Sequence, residues 1–180
     1  MPLMVGQNGS NKEQTAFTVS GDYKKGTTTG ISAQDRAITI KSLLDPDTRA
    51  DEFTKPGHLF PLRYHPGGVL ARAGHTEAGC DLARLAGLEP ASVIVEILNE
   101  DGTMARLPEL LEFASTHEMS VLTVADLIAY RLRRETLVSK IAEGTIETRL
   151  LGEVHAALYR NPINSLQYLA LIKGEVGPDR

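Results

Sequence analysis

The order of apolar and polar positions divides the chain into short alternating elements. Residues 1–14 are polar, with Gly, Asn and Gln, and are expected to form a loose N-terminal arm. Ala16 to Ser20 reads as a short strand, and Gly26-Thr27-Thr28-Thr29-Gly30 as a loop in which glycines bracket three hydroxyls. Ser32 is placed to start a helix, with Asp35 at the capping-box position and Ala33, Ala37, Ile40 and Leu44 on one face. Pro46 and the polar stretch to Pro56 end that helix. His58 to Arg63 and Val69 to Arg72 read as strands, separated by Pro66-Gly67-Gly68. Thr76 is placed as the N-cap of a helix with apolar positions Ala78, Leu82, Leu85 and Ala86, stopped by Gly87.

Ser92 to Leu98 is a β-branched apolar run, read as a strand, with one carboxylate inside it, Glu96. Asn99-Glu100-Asp101-Gly102 is a turn. Pro108 marks the first turn of a helix running to about His117; Val121 to Val124 reads as a strand and Ala125 to about Arg134 as a helix. This alternation predicts an α/β (α+β) domain of layered, mixed-sheet type over residues 15–138. Residues 139–148 are polar and charged, like a linker. Within residues 149–180, Val154 to Leu158 and Tyr168 to Ile172 read as two further strands, too little area to stand alone.

Composition narrows the classes. The 180 residues are 42% hydrophobic and 23% charged, the balance of an ordinary globular protein. A net charge of -4 gives no general electrostatic case for nucleic-acid binding. The single cysteine, Cys80, excludes an internal disulfide and any multi-cysteine zinc site within these residues. No apolar run reaches transmembrane length, and Met1-Pro2-Leu3-Met4-Val5 is too short and too weakly apolar for a signal peptide, so a cytoplasmic or plastid-stroma location is expected.

The densest polar segment is Arg72-Ala73-Gly74-His75-Thr76-Glu77-Ala78, at the start of the predicted second helix. Helix N-termini favour anions, and a guanidinium fork suits phosphate. Arg72 is thus a phosphate candidate, with the Thr76 hydroxyl and the N–H groups of Gly74, His75 and Thr76 beside it, or else a surface arginine next to a helix cap. The Gly26–Ser32 loop is a second phosphate candidate, or simply a turn. His75 is a metal-ligand candidate, or an exposed histidine. Glu96, flanked by apolar residues, would have its pKa raised by desolvation and suit proton transfer, unless it lies on a solvent face. His58, in Pro56-Gly57-His58, is either a loop histidine or a catalytic one. Glu77 would orient His75 or merely complement the helix dipole; Met104, Phe113 and Cys80 read as packing.

Phe17-Thr18-Val19-Ser20, Gly26 through Ser32, Pro56-Gly57-His58, Arg72 through Ala78, and Asn99 through Arg106 occur in the order found in 3,4-dihydroxy-2-butanone 4-phosphate synthases, and the chain resembles that family from about Thr15 to Val138. Tyr168 through Gly174 resembles the start of GTP cyclohydrolase II, as in bifunctional riboflavin biosynthesis proteins. Nothing in residues 1–14 resembles the family's acidic loop, Glu13 included, so the resemblance implies a synthase truncated on its N-terminal side, followed by the start of a cyclohydrolase domain that stops before the zinc motif. The resemblance implies riboflavin-pathway lyase chemistry: D-ribulose 5-phosphate to 3,4-dihydroxy-2-butanone 4-phosphate and formate. It further implies His58 and Glu96 as catalytic residues, Arg72, Ala73, Gly74, His75, Thr76 and Glu96 as the substrate-binding set, and His75 as ligand to Mg2+ or Mn2+, the second ligand being a glutamate of the acidic loop. It implies a homodimer, or pairing with a full-length synthase. The alternative is an inactive fragment or a regulatory or dimerisation partner.

Overall fold

The computed structural model describes residues 15–176. The arm expected over residues 1–14 lies outside them. The described chain forms two compact units, one running to His65 and resuming over His75–Met104, the other made of Pro66–Gly74 and the chain from Ala105 onward.

The first unit is built on two antiparallel strand pairs. β1 (Ala16–Phe17) pairs with β4 (Leu62–Arg63), and β2 (Gly21–Tyr23) with β3 (Phe53–Leu59). Of the expected strand Ala16–Ser20 only Ala16–Phe17 is laddered, and a second strand starts just past it at Gly21. Between Gly21 and Asp22 the register jumps: Gly21 faces Leu59, but Asp22 faces Thr54, so Lys55 to His58 bulge out of the ladder. The backbone groups freed there find side chains instead. The Gly57 N–H donates to Ser20 Oγ at 3.1 Å and the His58 N–H to Asp22 Oδ1 at 2.9 Å. Gly57 must be glycine, because a Cβ there would lie 2.4 Å from the Gly21 carbonyl carbon.

α1 (Ala33–Leu44) starts as its sequence predicts. Ser32 is the N-cap, and its hydroxyl accepts from the Asp35 N–H at 3.0 Å. The inward face differs from the expected one. Asp35 and Thr39 are buried, while Ala33, Ala37 and Leu44 are exposed. The polar pair wins because it answers backbone donors that would otherwise be orphaned: Thr39 Oγ1 accepts from the Tyr23 N–H at 3.1 Å, and Asp35 serves the preceding loop. The interior of this unit is consequently more polar than apolar, with Thr18, Ser20, Asp22, Glu77 and Asp81 also buried around Phe53, Ala78 and Cys80. Among the described residues no buried side-chain nitrogen or oxygen lacks a partner.

α2 (His75–Leu85) begins at His75, so Thr76 lies inside its first turn rather than at the N-cap. Just before it the Gly74 N–H donates to the Arg72 C=O at 2.8 Å in a tight turn that leads into the helix. The expected strand Ser92–Leu98 forms no ladder with the described residues, only one bridge between Leu98 and Met104. Its side chains stand out: Val93 is 71% and Val95 85% exposed, and Met104 is exposed rather than packed.

In the second unit, the expected strand Val69–Arg72 is replaced by a short 3-10 turn, Gly68–Leu70, since Gly68 adopts φ +61°. α3 (Leu107–Thr116) carries Pro108 in its first turn, and α4 (Val124–Arg134) is capped by the Thr123 hydroxyl, which accepts from the Asp126 N–H at 3.0 Å. The chain before α4 is not the expected strand; the cap and helix take over Thr123 and Val124. Phe113 is partly exposed and stacks on His117 at 4.3 Å instead of filling a core. Arg131 is buried on α4, forks onto Glu135 at 2.6 and 2.7 Å, and donates to the Gly67 carbonyl at 3.0 Å.

The stretch 139–148, read as a linker, is strand β5 (Ser139–Thr148), paired antiparallel along β6 (Gly152–Arg160), which pairs in turn with β7 (Gln167–Ile172). Its polar composition has a simple cause. β5 is exposed nearly throughout, while Val154, Ala156 and Ala157 of central β6 carry the burial. The α+β class is observed, with small antiparallel sheets among the described residues. No described helix is long and apolar enough to cross a membrane.

Candidate functional site

The bulge in β3 and the loop after β2 enclose a cleft of about 280 Å³. It is lined by Asp22, Lys24, Thr27 to Gly30, Thr54 and His58, among others. At its centre Asp22 holds His58 twice. Oδ1 accepts the His58 backbone N–H at 2.9 Å, and Oδ2 lies 2.7 Å from ring Nδ1. The Asp22 side chain is 11% exposed and that of His58 is 45% exposed. Nε2, on the opposite edge of the ring, makes no hydrogen bond to a described residue. Burial pushes the Asp22 carboxyl up. The N–H of His58, its ring, the ring's charge and the Leu59 N–H outweigh burial and hold the carboxyl below its ordinary value.

The loop carries its own organiser. Asp35 Oδ2 accepts the Thr28 N–H at 3.2 Å, the Thr28 hydroxyl at 2.8 Å and the Gly30 N–H at 2.9 Å. The Thr28 hydroxyl, followed against burial by the Gly30 and Thr28 N–H groups and the Ser32 hydroxyl, holds the Asp35 carboxyl below its ordinary value. Those N–H groups are the ones a phosphate would have needed, and with Asp22 and Asp35 close by the loop is a poor anion cradle. Gly30 sits at φ +87°, and a Cβ on it would lie 2.3 Å from Asp22 Oδ2.

Of the candidates read from sequence, His58 and Thr27 to Gly30 of the hydroxyl-rich loop line this cleft. His75 opens α2 and is exposed. Glu77 is buried in the first turn, and its Oε1 accepts the His65 N–H at 2.9 Å rather than being left to orient the His75 ring. Ala73 is exposed, and Gly74 and Thr76 are half-buried at the same turn. Arg72 is half-buried in the other unit. Glu96 is exposed on the unpaired segment and bonds to no described residue, so the expected desolvation of its carboxylate does not occur. Burial raises the Cys80 thiol, against a hydrogen bond with Ser92, in keeping with packing. Among the described residues no group of three or more His, Cys, Asp or Glu is placed to hold a metal ion.

Asp22 was not singled out from the sequence. The sequence signal at Asp22 is weak: it stands between Gly21 and Tyr23 at the end of a mixed run, Phe17 to Tyr23, just before a glycine-bracketed loop. The sequence presents Asp35 only as a capping residue, since it does not show the loop folding back onto it.

Residues 1–130 match the family model for 3,4-dihydroxy-2-butanone 4-phosphate synthase. The chain is 50% identical over 179 residues to the probable bifunctional riboflavin biosynthesis protein RIBA 2, chloroplastic, of Oryza sativa subsp. japonica, covering 98% of this chain and 32% of that protein. Among solved structures, RibBX, a two domain 3,4-dihydroxy-2-butanone 4-phosphate synthase from A. baumannii, aligns with a TM-score of 0.81 and 50% identity over 97% of this chain and 51% of that one. A 3,4-dihydroxy-2-butanone 4-phosphate synthase in complex with two magnesium ions aligns with a TM-score of 0.65 and 40% identity over 74% of this chain and 67% of that one. The chain spans between 32% and 49% of the length of the curated relatives it matches. With its motifs in family order and the family model matched over most of its length, the chain belongs to the 3,4-dihydroxy-2-butanone 4-phosphate synthase family.

Proposed function

We propose that the chain acts in riboflavin biosynthesis on D-ribulose 5-phosphate, giving 3,4-dihydroxy-2-butanone 4-phosphate and formate. The observation that carries this reading is the Asp22–His58 pair set in a polar cleft of a chain of this family. The chemistry begins with removal of a proton beside a carbonyl, which asks for a base with a free nitrogen lone pair and solvent-shielded support. His58 has both: a ring anchored at Nδ1 and an unbonded Nε2 at the cleft. The threonine hydroxyls of Thr27 to Thr29 suit the hydroxyls of a sugar chain better than its phosphate. Arg72, with Ala73, Gly74 and Thr76, is the proposed phosphate-holding segment, and Glu96 a second proton-transfer group. Overall a C–C bond of the five-carbon substrate breaks and its atoms are shared between the four-carbon product and formate.

His75 is the proposed protein ligand to a divalent metal, Mg2+ or Mn2+, which would polarise vicinal oxygens when bound. The described residues do not complete such a site, so no step is assigned to it. Residues 149–180 are proposed as the start of a cyclohydrolase II-like region, and a homodimer in the cytoplasm or plastid stroma as the working form.

The test is formate release from ribulose 5-phosphate by the purified chain with magnesium or manganese, against His58→Ala and His75→Ala. Metal-dependent turnover lost in both variants supports the reading. The competing reading is an inactive or regulatory partner that pairs with a full-length synthase. A folded chain that releases no formate but changes the rate of an added full-length synthase would establish that alternative.

A further inference from the structure

We propose that Asp22 is a positioning residue that fixes the tautomer of His58, keeping the proton on Nδ1 and the lone pair on Nε2 towards the cleft. The proposal rests on reading that cleft as the substrate site. Its geometry is specific. Each carboxylate oxygen takes a donor from His58, Oδ1 the backbone N–H at 2.9 Å and Oδ2 the ring at 2.7 Å. An ionised carboxylate only accepts, so a neutral ring facing it must carry its hydrogen on Nδ1. The hydrogen bonds from His58 and Leu59 favour the ionised form of Asp22 against burial. The carboxylate fits there only because residue 30 is glycine: a Cβ on Gly30 would lie 2.3 Å from Oδ2. The other titratable groups about the cleft are Tyr23 and Lys24. The Lys24 ammonium is engaged by the Asp51 carbonyl at 2.6 Å, and Asp35 is spent on Thr28 and Gly30.

An amide at position 22 cannot do the same work. It has one acceptor oxygen for two donors. If that oxygen stays on the backbone N–H, its NH2 faces Nδ1, and the neutral ring must move its proton to Nε2. The lone pair then leaves the cleft side. Triads in which a carboxylate orients a histidine lose activity by the same exchange.

The experiment is long-range 1H–15N correlation on the chain labelled in its 5 histidines, with His58 assigned from His58→Gln, at a pH where the ring is neutral. The expected wild-type pattern is Nδ1–H, with Asp22→Asn shifting the population to Nε2–H while the backbone amide spectrum stays folded. A wild-type ring protonated on Nε2 overturns the proposal, whether or not the variant folds; so does an unchanged tautomer in a folded Asp22→Asn chain. Formate release should fall about 10²–10⁴-fold in kcat for Asp22→Asn with KM little changed. A wild-type chain that releases no formate while showing the Nδ1–H tautomer would refute the substrate reading and leave the positioning role standing.

Discussion

Replacing Gly30 by alanine sets the most stringent test of the site's construction. At φ +87° an alanine pays about 1–2 kcal/mol for the left-handed backbone alone. Its Cβ would also lie 2.3 Å from Asp22 Oδ2 and 2.4 Å from Cγ, so the carboxylate must move by roughly an ångström. The bonds to His58 at 2.7 and 2.9 Å do not survive such a shift together. Hydrogen bonds to a charged group contribute about 1.5–3 kcal/mol each, so losing one brings the total to about 2.5–5 kcal/mol. Gly26→Ala is the control: Gly26 sits at φ +74° with nothing within 4 Å, so it bears the backbone cost only. Urea unfolding followed by circular dichroism gives both values. In an Asp22→Ala background the Gly30→Ala penalty should drop to that of Gly26→Ala. Equal penalties for the two glycines in the native background would refute the argument, because the carboxylate would then not be wedged between Gly30 and His58.

Three further outcomes are expected. Ser32→Ala removes the acceptor for the Asp35 N–H and should cost about 1 kcal/mol, read by the same unfolding curves. Asp22 and Asp35 both have lowered carboxyl pKa values, so the stability they contribute is complete above the unfolded value of about 3.9 and is lost as pH falls below it. Stability measured from pH 6 down to about pH 2 should fall, and Asp22→Asn should flatten part of that slope. Glu135→Ala strands the buried Arg131 guanidinium with fewer acceptors and should cost about 3 kcal/mol, the low end for a buried pair because Glu135 is 33% exposed. A loss well under 1 kcal/mol would mean that solvent satisfies Arg131.

Much of this was legible in the sequence where local chemistry decides. The Ser32 cap, Pro108 in a helical first turn, the α4 helix and the strands at Val154 and Tyr168 follow from capping, proline geometry and β-branching, which act over a few residues. What failed depended on partners. Ser92 to Leu98 has strand composition but finds no strand to pair with among the described residues, and Ser139–Thr148 has linker composition yet forms β5 because β6 lies alongside it. In α1 the apolar stripe lost to Asp35 and Thr39, since backbone donors from the loop and from β2 had to be met. The site divides the same way. His58 stands out in Pro56-Gly57-His58, whereas Asp22 becomes meaningful only once a bulge brings residues 36 positions apart into contact.

The bare segment Ser92–Leu98 has a consequence for the behaviour of the chain in the test tube. Its backbone is open to pairing, and Val93, Ile94, Val95 and Leu98 are all exposed. Short apolar runs of this kind are templates for intermolecular strand addition and aggregation. Glu96 sits in the middle of the run, and a charge inside an apolar strand-like segment opposes such addition. Glu96→Val is therefore expected to lower the concentration at which the chain begins to associate, read by light scattering, whatever its effect on formate release.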